Sequence, residues 1–250
     1  MTHTEFPEQS ASQLQAFVED LHDRLGDDLV SVILYGSAAR GDYVESHSDV
    51  NVLVVARRLP PSHLRSAGVA VNHWRQHLPL APVFATCEYL ETSADVFPLE
   101  FLEMRDHHVC LFGPDPLTDL PISVRRLRQQ VEAELKGKLL RLRSAYAHAA
   151  GNPTAVRDLL RDSLSAFRAL FEGVLRMNGE KPGRRRAEVV QQVCAAYGLD
   201  AKALDAVVRV KEDAEVNAED LDTLFGAYLL AIEHLVSAVD AHEEAASGTL

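Results

Sequence analysis

Apolar residues follow two different periods along this chain. Between Ser10 and Leu25, Leu14, Phe17, Val18, Leu21 and Leu25 recur at intervals of three and four, which predicts a helix with Ser12 as its N-cap. "LVSVILY" (Leu29 to Tyr35) and "VNVLVV" (Val50 to Val55) are short, β-branched and bounded by turn residues, so they predict strands. A mixed pattern around Leu64, Val69, Val71 and Trp74 predicts a helix between Pro61 and His77. "APVFAT", "PLEFLEM" and "VCLFG" then read as three further strands. The first half is therefore α/β.

After about Leu120 the strand signals stop. Val124, Leu127, Val131, Leu135, Leu139, Leu142 and Tyr146 form one stripe at helical spacing, ended by Gly151, Asn152 and Pro153. Further helices are predicted through Leu159 to Leu175, over about Ala187 to Tyr197, and from about Leu221 to His242. Short connections make an antiparallel bundle the natural arrangement. The proline-rich segment "GPDPLTDLP" (Gly113 to Pro121) marks the junction, giving an α/β domain over 1–118 and an all-α helical bundle over 119–250.

Composition narrows the class. With 250 residues and 47% hydrophobic content the chain can bury real cores. A net charge of −12 argues against general nucleic-acid binding, which depends on Lys and Arg contacts to phosphate. Cys87, Cys110 and Cys194 lack the spacing of a zinc motif or a disulfide framework, and read as buried thiols in a reducing compartment. The polar, acidic N-terminus has no apolar signal core, and no stretch reads as a membrane span, so a cytoplasmic protein without a membrane partner is expected.

The chemistry concentrates in "LYGSAARGDYVESHSDVNVLVV", Leu34 to Val55. A Gly-Ser turn after a strand lets phosphate oxygens reach backbone N–H groups with no Cβ in the way, and the Ser hydroxyl adds a donor. Gly36 and Ser37 suit that role. Asp49 and Asn51 flank Val50, so on a strand they leave the same face, where two oxygen donors can share divalent cations. Such an arrangement suits Mg²⁺-assisted phosphoryl chemistry, which also needs a further carboxylate to complete the metal shell or take the acceptor's proton.

"GSAARGDYVESHSDVN" resembles the signature of the DNA polymerase β-like nucleotidyltransferase superfamily, a Gly-Ser followed after about ten residues by Ser-Asp-x-Asp, carried here by Gly36, Ser37, Ala39, Arg40, Gly41, Ser48 and Asp49. The order of elements is similar to that of small bacterial members, including aminoglycoside adenylyltransferases. The resemblance implies a mixed-sheet fold that binds a nucleoside triphosphate (NTP) with Mg²⁺ and passes a nucleotidyl group to the hydroxyl of a small-molecule acceptor. Gly36, Ser37, Arg40 and Ser48 would hold the triphosphate, Asp49 and Asn51 the metal, and Glu100 would supply the third carboxylate.

Asn51 departs from the pattern, because it stands where the family has a second carboxylate and offers only a neutral oxygen. A second reading follows: a catalytically degenerate nucleotidyltransferase acting as a nucleotide-binding or protein-interaction module. Other features have structural readings. Asp42 beside the turn reads as a solvated loop acid, and adjacent His107 and His108 should point to opposite faces of a strand. "KPGRRR" (Lys181 to Arg186) reads as a solvated helix start, and the Arg-x4-His of "RSAYAH" (Arg143 to His148) as a chance spacing. Exposed faces of the bundle offer a surface for a homodimer.

Overall fold

A computed structural model describes residues 6–41, 43, 48–212 and 218–247; Asp42 lies outside them. The chain forms two compact units, Met1–Ser123 and Val124–Leu250.

The first unit is built on a four-stranded mixed sheet in the order β3-β2-β1-β4. Its strands are β1 (Leu29–Tyr35), β2 (Val50–Ala56), β3 (Leu80–Thr86) and β4 (His108–Phe112). β1 runs antiparallel to both β2 and β4, and β2 runs parallel to β3. The helices are α1 (Glu8–Leu25), the single turn α2 (Ser37–Arg40), α3 (Pro61–Trp74), α4 (Cys87–Ser93) and α5 (Pro98–Asp106).

β1 and β2 are almost uniformly apolar because both faces of the central strands are covered. Val32, Leu34, Val52 and Val54 pack with Leu14, Phe17, Leu21, Ala67 and Ala70 of α1 and α3. On the opposite face Ile33, Leu53, Val55 and Ala85 meet Leu90, Phe101, Leu117 and Leu120. Each fully buried Leu or Phe of this kind contributes about 1.5–3 kcal/mol relative to exposure. The chain leaves β4 through Gly113 (φ +72), where a Cβ would lie 1.9 Å from the Val30 carbonyl oxygen, so no other residue fits. The Ser31 hydroxyl donates to the Pro114 carbonyl and holds this exit against β1.

Two expectations are corrected here. "PLEFLEM" is the start of helix α5, not a strand: Pro98 occupies the first turn, where its missing N–H costs nothing, and Leu99, Phe101 and Leu102 are buried from a helix. Ser12 lies inside α1, donating to the Glu8 carbonyl (3.0 Å), while Pro7 takes the N-cap.

The second unit comprises α6 (Val124–Ala149), α7 (Pro153–Met177), α8 (Arg186–Tyr197), α9 (Ala201–Lys211) and α10 (Ala218–Ser247). Asn152 caps α7 by accepting from the Ala155 N–H (3.2 Å), and Asp200 caps α9 by accepting from Lys202 (2.9 Å) and Ala203 (3.4 Å). α7 is the central element. Its Glu172, 2% exposed, lies between Arg168 (3.0 Å) and Arg176 (3.5 Å).

The Lys181–Arg186 run is the entry to α8: Gln192 bridges the Gly183 N–H (2.8 Å) and the Lys181 carbonyl (3.0 Å). In "RSAYAH", Arg143 pairs with Glu233 (2.8 Å), and His148 Nδ1 donates to the Ser144 carbonyl (2.7 Å), so each has a bond within the bundle. The expectation that no stretch could span a membrane needs correction, because Asp220–Ala241 of α10 is long and apolar enough by length and composition. The reason is local: Leu221, Phe225, Tyr228, Ile232, Leu235 and Val239 form the face it buries in the bundle.

Candidate nucleotide site

β1 ends at Tyr35, and the chain turns at Gly36, whose φ of +75° and ψ of −146° are open only to glycine. A Cβ on Gly36 would also lie 2.9 Å from the Asn51 side-chain nitrogen. Asn51 therefore packs its carboxamide against the turn itself. Ser37 begins α2, which closes at once: the Arg40 N–H donates to the Gly36 carbonyl (3.0 Å), and Gly41 (φ +84) ends it. Ser48 and Asp49 lead into β2. Val50 is fully buried under α1 and α3, so the flanking positions 49 and 51 are turned toward the opposite face. Asp49 is exposed, and Ser48 and Asn51 are half-buried.

Register places these residues in a row across the sheet. Asn51 is opposite Tyr35 of β1 on one side and Ala81 of β3 on the other, and Tyr35 is in turn opposite His108 of β4. Lateral partners in a sheet share a face. The strand beside Asn51 thus presents Ala81, and two residues on Val83, where a third carboxylate from a neighbouring strand would stand. Glu100 is not there. It occupies the first turn of α5, exposed to solvent, and its assignment as a strand acid fails because the strand itself is a helix.

Glu103, one helical turn further along α5, does reach the turn. Its carboxylate accepts from Arg40 (3.1 Å), whose side chain is only 8% exposed. Glu103 also acts on Tyr35: burial first, and then this nearby negative charge, push the phenol above its ordinary value. Arg40, expected to meet a triphosphate, has its guanidinium drawn into the wall of the turn by Glu103. The sequence held a signal for Glu103. Reading "PLEFLEMRD" as a helix opened by Pro98 puts residues 100 and 103 on neighbouring turns of one face.

No family model matches the chain. Two sequences of Methanocaldococcus jannaschii that bear the name protein adenylyltransferase are 51% and 47% identical to it, each over 47 residues or 19% of this chain. Those residues make up 31% of one and 46% of the other, so the chain spans less than half the length of these curated relatives. Among solved structures, a spectinomycin adenyltransferase from Enterococcus faecialis, crystallised with ATP and spectinomycin, matches with a TM-score of 0.54 at 11% identity, covering 92% of this chain and 99% of that one. The chain has the fold of a nucleotidyltransferase.

At 11% identity the structural likeness speaks for the fold, while the local identity to the archaeal sequences speaks for kinship in a short segment. Within the nucleotidyltransferase fold, the turn after β1 and the head of β2 are brought together here by strand pairing. What this chain lacks relative to the family signature is negative charge: Asn51 is neutral, and Ala81 beside it is apolar.

Proposed function

We propose that this chain is a nucleotidyltransferase that binds a nucleoside triphosphate at the Gly36–Ser37 turn and passes its nucleotidyl group to a hydroxyl of a small-molecule acceptor. The observation that carries this reading is the glycine-only turn at the end of β1, packed against Asn51 on the strand that Asp49 leads into. ATP is the first nucleotide to test, because the relatives are named for adenylyl transfer.

Gly36 leaves room for phosphate oxygens against the backbone, and the Ser37 hydroxyl donates to them. Asp49 offers one anionic oxygen and Asn51 one neutral oxygen, a hard donor set that suits Mg²⁺ but with a single charge. When bound, the ion would neutralise charge on the triphosphate. Transfer joins the acceptor oxygen to the α-phosphorus, breaks the bond to the β-phosphate and releases pyrophosphate. The acceptor's proton needs a base, and Glu103, held beside the turn by Arg40, is the carboxylate assigned to it.

A second reading is favoured by one specific observation, the apolar Ala81 and Val83 on the strand beside Asn51. On that reading the fold binds nucleotide without turning it over. Calorimetry with ATP, CTP, GTP and UTP, with and without Mg²⁺, combined with a pyrophosphate-release assay, separates the two. Metal-dependent binding with pyrophosphate release supports the transferase, and metal-dependent binding alone supports the module. Equal binding with and without Mg²⁺ sinks the metal-assisted site.

A further inference from the structure

At the far end of the same row across the sheet lies a group of side chains that nucleotide chemistry does not use. His108 and Cys110 are two residues apart on the edge strand β4, and Asp115 returns to them after the Gly113 turn. One ligand atom from each of the three lies within 4.8 Å of the others, the one such trio of His, Cys, Asp or Glu among the described residues. His108 and Asp115 are half-buried, and Cys110 faces solvent.

The hydrogen bonds fix which atoms are available. His108 Nδ1 is 2.9 Å from the Arg105 carbonyl, which has no proton to give, so Nδ1 carries the hydrogen and donates. In the neutral ring this leaves the Nε2 lone pair aimed at the Asp115 carboxylate, 2.9 Å away. Two lone pairs do not face each other at that distance without a cation between them. A proton on Nε2 satisfies the pair by an ordinary hydrogen bond but leaves the Cys110 thiol out. A metal ion uses all three. Asp115 is itself oriented, accepting from the Leu117 N–H (2.8 Å) and the Thr118 hydroxyl (2.5 Å). A backbone carbonyl on the outer ring nitrogen and further bonds on the carboxylate are the outer-shell supports that metal-ligating His and Asp receive.

We propose that His108 Nε2, Cys110 Sγ and an Asp115 carboxylate oxygen form a binding site for Zn²⁺, with water as the fourth ligand on the solvent side. A tetrahedral site with Zn–N and Zn–O of about 2.0–2.2 Å and Zn–S of about 2.3 Å separates its ligand atoms by roughly 3.3–3.6 Å. The observed 2.9 Å between His108 and Asp115 and the 4.8 Å outer bound lie on either side of that range, so small side-chain rotations suffice. Mixed nitrogen, sulfur and oxygen donors suit zinc, whereas Asp49 and Asn51 offer oxygen alone and suit Mg²⁺, so the two sites select different ions. The zinc would tie the segment after Gly113 to the sheet edge.

The test uses the full chain, stripped with chelator and reloaded with Zn²⁺ or Co²⁺. One equivalent of Zn²⁺ should bind in competition with a chromogenic chelator. Co²⁺ should give a thiolate-to-cobalt charge-transfer band together with the intense visible bands of a tetrahedral ion. Cys110→Ser should abolish the charge-transfer band, and His108→Gln should weaken Zn²⁺ binding at least tenfold. A Cys87→Ser/Cys194→Ser double variant should keep the band. Absence of the band in the wild-type chain, or its survival in Cys110→Ser, overturns the proposal. The wild-type spectrum decides the matter even if a variant folds poorly.

Discussion

Replacing Asn51 by Asp restores the carboxylate pair at positions 49 and 51, and the structure gives the effect opposite signs with and without metal. Two residues along a strand are about 6.6–6.8 Å apart. At that separation two like charges repel by about 0.6 kcal/mol in water and about 2.5 kcal/mol at an effective dielectric of 20. Asp49 is exposed, which favours the lower figure. The variant also loses the Asn51 amide nitrogen that lies over Gly36. In chelator, Asn51→Asp should therefore be less stable than the wild type by about 1 kcal/mol, roughly 4 °C in melting temperature for a unit of this size. In Mg²⁺ the added charge becomes a ligand. Affinity for Mg²⁺-ATP should rise about tenfold, equivalent to ~1.4 kcal/mol, and at saturating nucleotide the difference in stability should shrink or reverse. Differential scanning fluorimetry across a matrix of chelator, Mg²⁺ and Mg²⁺-ATP measures all of this in one experiment. If a variant shown by circular dichroism to be folded has the same melting shift as the wild type in every condition, residues 49 and 51 do not form a metal face.

Gly36→Ala meets both a positive φ and the 2.9 Å approach to Asn51, and should lower stability by about 1–3 kcal/mol in urea denaturation while abolishing nucleotide binding; a wild-type midpoint would mean the turn is not strained. Glu172→Ala removes the buried carboxylate between Arg168 and Arg176 and should cost about 3–5 kcal/mol, whereas a loss below about 1 kcal/mol would show that water reaches the two guanidiniums. Burial pushes the Tyr228 phenol up, with Ser163 partly opposing it. Its contribution is therefore complete below the unfolded phenol's pKa of about 10 and is lost as pH rises further. Tyr228→Phe should flatten the alkaline fall in melting temperature above that pH, and an unchanged slope would refute the assignment.

What could be read from the sequence was what lies close together along it. β1 and β2 announce themselves as β-branched runs bounded by Gly36 and the Ser-Asp pair, and α6 by its stripe from Leu127 to Leu142. Short apolar runs were ambiguous: "PLEFLEM" has the composition of a strand, and only Pro98 at its head argued for the helix it forms. α9 carries the signals of Asp200 as cap and Leu204, Val207 and Val208 as buried stripe, but at 11 residues its pattern is short beside those of its neighbours. The site was legible in part. Gly36, Ser37, Asp49 and Asn51 belong to one local device, but the Arg40–Glu103 pair joins residues 63 apart, and the facing of Asn51 by Ala81 depends on strand register. The trio of His108, Cys110 and Asp115 has no contiguous motif, because it is made by alternation on β4 and a glycine turn rather than by the adjacent His107 and His108.

The pairing of Tyr35 with Asn51 brings together residues only sixteen apart, within an antiparallel hairpin. Closing that loop costs less chain entropy, by about 1.2 kcal/mol, than closing the 63 residues between Arg40 and Glu103. The hairpin with its glycine turn can therefore assemble as a local event, ahead of the distant contacts that lock Arg40. Substitutions in the hairpin should slow folding, and those in the Arg40–Glu103 pair should speed unfolding. The candidate phosphate turn is thus closed by a short loop, and the contact that fixes Arg40 by a long one.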